Sequence, residues 1–208
     1  GDFQLQPIAL DTGCVEPDTI QEIGGDVIYV GPDGIRSLSA TEKVGDFNLA
    51  VVSKIIQEKA RDFINRNTSF SSVVIRPKSQ YRLLGYNANF SQDASQAIVG
   101  SQVEQGINFS ELRGFKAYVA SSNLNEDIET IVFANEDGYV YSMESGNSMD
   151  GAEIFSTFAT PYIPINDPRV RKTFYKMFLY TDPQGSYSAD VNLLYDFDEA
   201  GIVQPETF

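Results

Sequence analysis

Histidine and tryptophan are absent from the 208 residues, and cysteine occurs once, at Cys14. Without histidine the chain has no imidazole base and none of the Ser-His or Cys-His nucleophile pairs built on one. A lone cysteine makes no internal disulfide and no zinc cluster. The missing tryptophan removes the favoured platform for a sugar ring. Positive charge is also scarce, because 15 Lys and Arg stand against 29 Asp and Glu, a net charge of −14. Such a surface repels a phosphate backbone, which excludes tight nonspecific binding of nucleic acid.

Long apolar runs are missing too. None approaches the ~18 residues of a membrane span, and Gly1 to Leu10 lacks a basic stretch leading into an apolar one. A soluble protein is expected, with no transmembrane helix and no signal peptide. Neither G-x-G-x-x-G nor a P-loop occurs, and Gly24-Gly25 precedes a strand pattern rather than a helix start, so no nucleotide cofactor is expected.

What remains is enough for a folded core, with 42% hydrophobic and 21% charged residues. One hairpin pattern occurs twice, from Asp26 to Ser37 and from Thr130 to Tyr141. Each has β-branched and aromatic residues around an Asp-Gly turn, at Asp33-Gly34 and at Asp137-Gly138, where glycine supplies positive φ. A third pair, Ser72 to Arg76 and Gln80 to Tyr86, lies between them across Pro77, Lys78 and Ser79. The offsets, Ile28 to Ile75 and Ile75 to Val132, give a period of about fifty residues. Small sheets recurring at that spacing are the mark of a β-propeller, and three blade-like units are present where a closed ring takes roughly four to eight. The expectation is therefore a piece of a larger propeller, entered by a strand over Gln4 to Leu10.

A helix is predicted over 49–64, from Val52, Ile55, Ile56, Ala60 and Phe63 at helical spacing, with Asp46 or Asn48 as its N-cap. The stretch 87–114, rich in Ser, Gln, Asn and Gly, reads as a long surface excursion. From Gly151 the texture changes. Ala152 to Phe158, Thr173 to Thr181 and Tyr187 to Phe197 read as longer strands, with prolines in the connections. Tyr187, Ala189, Val191, Leu193 and Tyr195 alternate with polar residues, as in a half-buried antiparallel strand. The fold class expected is all-β with one amphipathic helix: β-propeller-like repeated hairpin sheets over 1–150, then an antiparallel, sandwich-like β unit over 151–208.

Paired carboxylates are the only constellation with catalytic chemistry in it, since split pKa values could serve glycoside hydrolysis. Glu126-Asp127, Glu136-Asp137 and Asp196, Asp198, Glu199 are the candidates, and all read as solvated turns or strand ends. The last group lacks the spaced ligand series of a calcium loop. No catalytic, cofactor-binding or metal residue is expected, and the chain is read as no enzyme. Asn67, Asn89 and Asn108 stand in glycosylation sequons, without a secretion signal to give them meaning. The basic cluster Arg169, Arg171, Lys172 and Lys176 is expected to pair with nearby carboxylates, a partner-facing patch being the alternative.

Asp33 to Ser39 with Gly45 to Asn48, Gln80 to Tyr86, Asp137 to Asn147, and Thr160 to Arg169 with Arg171 to Tyr175 together resemble tail proteins of short-tailed bacteriophages. The likeness covers most of residues 26–197, and it lies in the order of these stretches rather than in one motif. It implies a relative of the tubular or nozzle proteins, which form a ring below the portal and carry propeller-like domains. Such proteins are longer than this chain, which would be a middle or C-terminal part. The resemblance implies a virion structural protein of the phage tail, made in the host cytoplasm, which packs with copies of itself in a ring and with other tail proteins. DNA would only pass through, without specific binding, and no membrane is involved. Alternatives are a carbohydrate-binding or host-recognition β-module, and a propeller scaffold from a cellular protein.

Overall fold

The computed structural model describes residues 13–39, 51–89, 95–104, 106–114, 116–125, 128–161, 163–167, 170–182 and 186–194. The chain divides into two compact units, Gly1–Ser145 and Gly146–Phe208. The strand expected over Gln4 to Leu10 and the capping residues Asp46 and Asn48 lie outside the described residues.

The first unit is built of three antiparallel sheets and a helix. Strands β1 (Gln21–Ile23), β2 (Asp26–Gly31) and β3 (Gly34–Ser37) form the first sheet in chain order. After the helix α1 (Gln57–Arg66), β4 (Ser69–Ile75), β5 (Gln80–Tyr86), β6 (Ser95–Val103) and β7 (Gly106–Arg113) form the second, again in order. In the third, β9 (Ile128–Ala134) lies between β8 (Val119–Asn125) and β10 (Val140–Ser142). The three hairpins read from the sequence thus fall one to a sheet.

Alternation along β4 and β5 places the second sheet between the other two. Phe70, Val74, Tyr81 and Leu83 bury one face against Ile28, Val30 and Ile35 of the first sheet and against Ala60 and Phe63 of α1. Val73, Ile75 and Leu84, one residue out of phase, face Ala120 and Ile131 of the third sheet. Ion pairs rim this second interface: Arg76 Nη1 lies 2.8 Å from Glu129 Oε1, and Glu144 takes both Lys78 and, at 2.5 Å, Arg82. Face-to-face stacking of successive sheets is what the amphipathic hairpins require, since each has an apolar face it cannot bury alone.

The turns differ from the expectation in detail. Gly31 pairs with Gly34, so Pro32 and Asp33 make the first tip and Gly34 opens β3 with φ of 147°. A Cβ on Gly34 would lie 2.5 Å from Ser53 Oγ, which accepts a hydrogen bond from Ile35 N at 3.0 Å. In the second hairpin Ala134 pairs with Val140, leaving a loop of five residues, Asn135 to Tyr139, with Gly138 at φ of 85°. The helix begins later than residue 49: a 3-10 turn, Lys54–Ile56, precedes Gln57, because Val52 N and Ser53 N are held by the carbonyl of Ile35 beside β3.

Two expectations are corrected. Within the surface excursion expected over 87–114, the strands β6 and β7 form a hairpin that extends the second sheet and buries Ala97, Ile98 and Val99. Gln96 is buried with them, and Ile98 and Ala97 pack into opposite cores, whereas the polar residues Gln102, Asn108 and Ser110 are exposed; these polar positions hid the hairpin's apolar content. In the second unit, the described residues of Ala152 to Phe158, Thr173 to Thr181 and Tyr187 to Phe197 form no strand, and the unit's described pairing is a single bridge between Met149 and Ala152. Alternation shows which face could be buried. A strand also needs backbone partners along an edge, and these segments have none among the described residues.

Candidate functional site

A group of chemically capable side chains in the first unit gathers around the loop between β9 and β10. Asn135 Oδ1 accepts from Asp137 N at 3.0 Å and Asp137 Oδ1 accepts from Tyr139 N at 2.9 Å, successive Asx turns that fold the loop back on itself. Tyr118 N donates to the carbonyl of Ala134 at 2.8 Å, which brings the segment before β8 alongside. Tyr86, at the end of β5, meets the Tyr118 ring edge-on with centroids 4.9 Å apart. Three separate stretches of chain therefore supply Tyr86, Lys116, Tyr118, Glu136, Asp137 and Tyr139.

The polar contacts fix both carboxylates. Lys116 Nζ lies 2.5 Å from Glu136 Oε1, and the Tyr86 hydroxyl donates to Glu136 Oε2. Tyr141 Oη donates to Asp137 Oδ2 at 2.6 Å, and its ring stacks on Phe133. The hydrogen bond from Lys116, followed by that from Tyr86, holds the Glu136 carboxyl below its ordinary range, and the bond from Tyr141 does the same for Asp137. The Tyr86 phenol is pushed up, because it donates to an anion. Both carboxyls are thus ionised at neutral pH, and neither is raised as a general acid would need to be. Tyr118 and Tyr139 leave 52% and 68% of their surface exposed beside these acceptors. Exposed rings flanked by carboxylate oxygens can stack and hydrogen-bond a polyhydroxylated ligand.

A second polar group lies at the other interface. Asp26 accepts from Ser37 Oγ, from Ser39 Oγ at 2.6 Å, from Ser39 N at 3.0 Å and from Val27 N at 2.8 Å. Burial would raise this carboxyl, but the serine and backbone donors outweigh it and hold it low. It borders a cavity of about 100 Å³ lined also by Ile28, Tyr81, Gln102 and Ile107. The donors around Asp26 come from the chain itself, which makes it a structural tie between β2 and the end of β3.

Of the residues singled out from the sequence, Glu136 and Asp137 are those the fold brings into a cluster. Glu126, Asp127, Arg169, Asp196, Asp198 and Glu199 lie outside the described residues. The basic cluster does not pair as expected: Lys172 Nζ donates to the carbonyls of Pro164 and Asp167, at 2.8 and 2.6 Å, because that loop folds its carbonyls around the ammonium. Arg171 and Lys176 stand exposed with no carboxylate in salt-bridge range among the described residues. Gly24 and Gly25 form the turn from β1 to β2, with φ of 61° and 77°. Asn67 is buried at the end of α1, where its Nδ2 donates to the carbonyl of Phe63 at 2.8 Å, whereas Asn89 and Asn108 are exposed. Among the described residues no three of His, Cys, Asp and Glu converge to hold a metal ion, and no helix is long and apolar enough to cross a membrane.

Tyr86, Lys116 and Tyr118 carry no motif, and nothing in their spacing marks them; only the stacking of the second sheet against the third assembles the group. Comparison with family models, with curated proteins and with solved structures gave no match.

Proposed function

We propose that this chain is a structural component of a phage tail, of the tubular or nozzle type, in which propeller-like sheets pack with copies of the chain and with other tail proteins around the DNA exit path. The observation that carries this reading is the stack of three hairpin-based sheets, one per repeat, each sandwiched through apolar faces. The order of the stretches that resemble short-tailed phage tail proteins supplies the rest. A scaffolding role without turnover accords with the absence of histidine and with two loop carboxyls that are both held low. Mass spectrometry of purified virions, together with gold-labelled antibody on intact particles, tests it: the chain should be found at the tail, and its absence from particles would overturn the reading. Turnover of a polysaccharide or phosphodiester that Glu136→Gln abolishes would overturn the non-enzymatic part.

The tyrosine cluster favours a second reading, a carbohydrate-recognising module. Tyr118 and Tyr139 would act as stacking faces, with Glu136 and Asp137 as hydroxyl acceptors. A glycan array decides it: a specific signal lost on Tyr139→Ala would establish sugar binding, and a blank array would remove it.

A further inference from the structure

The described residues of the second unit expose more apolar surface than folded monomers usually show. Between Thr173 and Thr181 the chain has neither helix nor ladder. Phe174, Tyr175, Met177, Phe178, Leu179 and Tyr180 each expose more than half of their surface, Tyr175 and Tyr180 about nine-tenths. At ~150–250 Å² per aromatic side chain this is on the order of 600 Å² of apolar area, above the few hundred Å² that monomers usually show. The residues alternate as a strand does, with Tyr175, Met177 and Leu179 on one side and Phe174, Lys176, Phe178 and Tyr180 on the other. Lys176 apart, both sides are apolar, which suits a strand covered on both faces.

The first unit offers a matching acceptor. β7 runs for eight residues, is paired with β6, and has no described strand on its other edge. Ile107 and Phe109 turn toward one core and Leu112 toward the other, while Asn108 and Ser110 are exposed. A long edge with no described strand beside it is a template for another strand. The nine residues from Thr173 to Thr181, at ~3.3 Å each, span the length of β7. Charge complements the fit. Arg169, Arg171, Lys172 and Lys176 fall in a stretch with no acidic residue between Asp167 and Asp182. Residues 1–145 hold twenty acidic and eleven basic residues, a net of −9.

We propose that residues 173–181 of one copy add as a strand to the free edge of β7 in a second copy of this chain. The contact is head to tail, because the donating and accepting surfaces differ, so it builds rings or filaments, or a two-fold dimer where two copies exchange arms reciprocally. This deepens the assembly role proposed above and rests on it for its biological setting.

Sedimentation velocity on the full 208-residue chain tests it with two variants, Phe178→Lys in the donor segment and Ser110→Lys in the acceptor edge. Wild type should sediment as species larger than a monomer, and each variant alone should lose them. Mixed in equal amounts, the intact arm of the Ser110→Lys chain should join the intact edge of the Phe178→Lys chain, giving a one-to-one heterodimer and nothing larger. Tyr180→Lys and Asn108→Lys replace either variant if its circular dichroism shows that it has not folded. A monomeric wild type, variants that assemble as wild type does, or a mixture that stays monomeric would each overturn the proposal. A chain found in virions yet monomeric when purified would refute this contact and leave the tail role standing; self-assembly of a chain absent from virions would do the reverse.

Discussion

Tyr81 places a hydroxyl deep in the first core, where Oη donates to the carbonyl of Thr19 at 2.9 Å. Thr19 is itself fully buried, and its Oγ accepts from Val30 N at 3.2 Å and donates to the carbonyl of Glu16 at 2.7 Å. Tyr81→Phe leaves the Thr19 carbonyl one donor short and should cost roughly 1–2 kcal/mol at neutral pH, read by urea unfolding. Burial also pushes the phenol well above its ordinary pKa of 10.0. The folded state therefore favours the protonated form, and stability present below pH ~10 is lost as pH rises beyond it. In Tyr81→Phe that alkaline loss should shrink, so that the gap between variant and wild type narrows from about pH 7 to about pH 11. Glu144 has the opposite sign. Burial would raise its carboxyl, but Lys78 and Arg82 outweigh this and hold it below its ordinary 4.5. Its contribution is present above pH ~4.5 and lost as pH falls below it. Glu144→Gln should destabilise by roughly 1–2 kcal/mol at pH ~7, where Arg82 loses its carboxylate and keeps only Gln80 and Met143, and by less in acid. Guanidinium titrations at the two pH values check this.

Helix and sheet meet where glycine makes room. A Cβ on Gly85 in β5 would stand 2.5 Å from Asn67 Nδ2 and 2.6 Å from Phe63 Cζ, so α1 and its C-terminal cap pack directly on the strand backbone. Gly85→Ala must push Phe63 and Asn67 away and should cost roughly 1–3 kcal/mol. Thermal unfolding should then fall by roughly 3–10 °C; an unchanged midpoint would show that α1 is not seated there. Gly138 gives the contrast. Space around its Cα is open, but its φ is 85°, so Gly138→Val is opposed by backbone strain alone, on the order of 1–3 kcal/mol. The loss should be confined to the β9–β10 hairpin, and hydrogen exchange in β9 against β5 would separate this local effect from global unfolding.

Charge is the property that belongs to the whole molecule. A net of −14 suits a wall along which duplex DNA slides, and equally keeps a protein in solution. Duplex DNA at low salt should therefore not be retained. Micromolar binding that weakens steeply with salt and is lost on Arg171→Ala would show instead that the basic stretch grips phosphate, and would sink the sliding-wall idea. The stacked sheets and the apolar stretch of the second unit are what such an assembly protein would use to pack with its neighbours.

The hairpins were legible in the sequence because their signals are local: Pro32-Asp33-Gly34 and Asp137-Gly138 carry turn chemistry, and the flanking residues alternate at the period of a strand. Helix α1 was legible through Ala60 and Phe63, which do face the core, although its start was not, since contacts with β3 decide it. β6 and β7 escaped notice because polar residues interrupt them, and only pairing with β5, inside a sheet covered on both faces, buries Gln96 to Gly100 in a row. The segments after Gly151 failed in the other direction: their strong alternation meets no ladder partner among the described residues, and alternation alone makes no sheet. The group of Tyr86, Lys116, Tyr118 and Glu136, and the pairing of Arg76 with Glu129 across 53 residues, exist only through tertiary structure. Periodicity along a chain encodes which face wants burial; it holds no information on what will cover that face, because the covering surface is folded from residues far away.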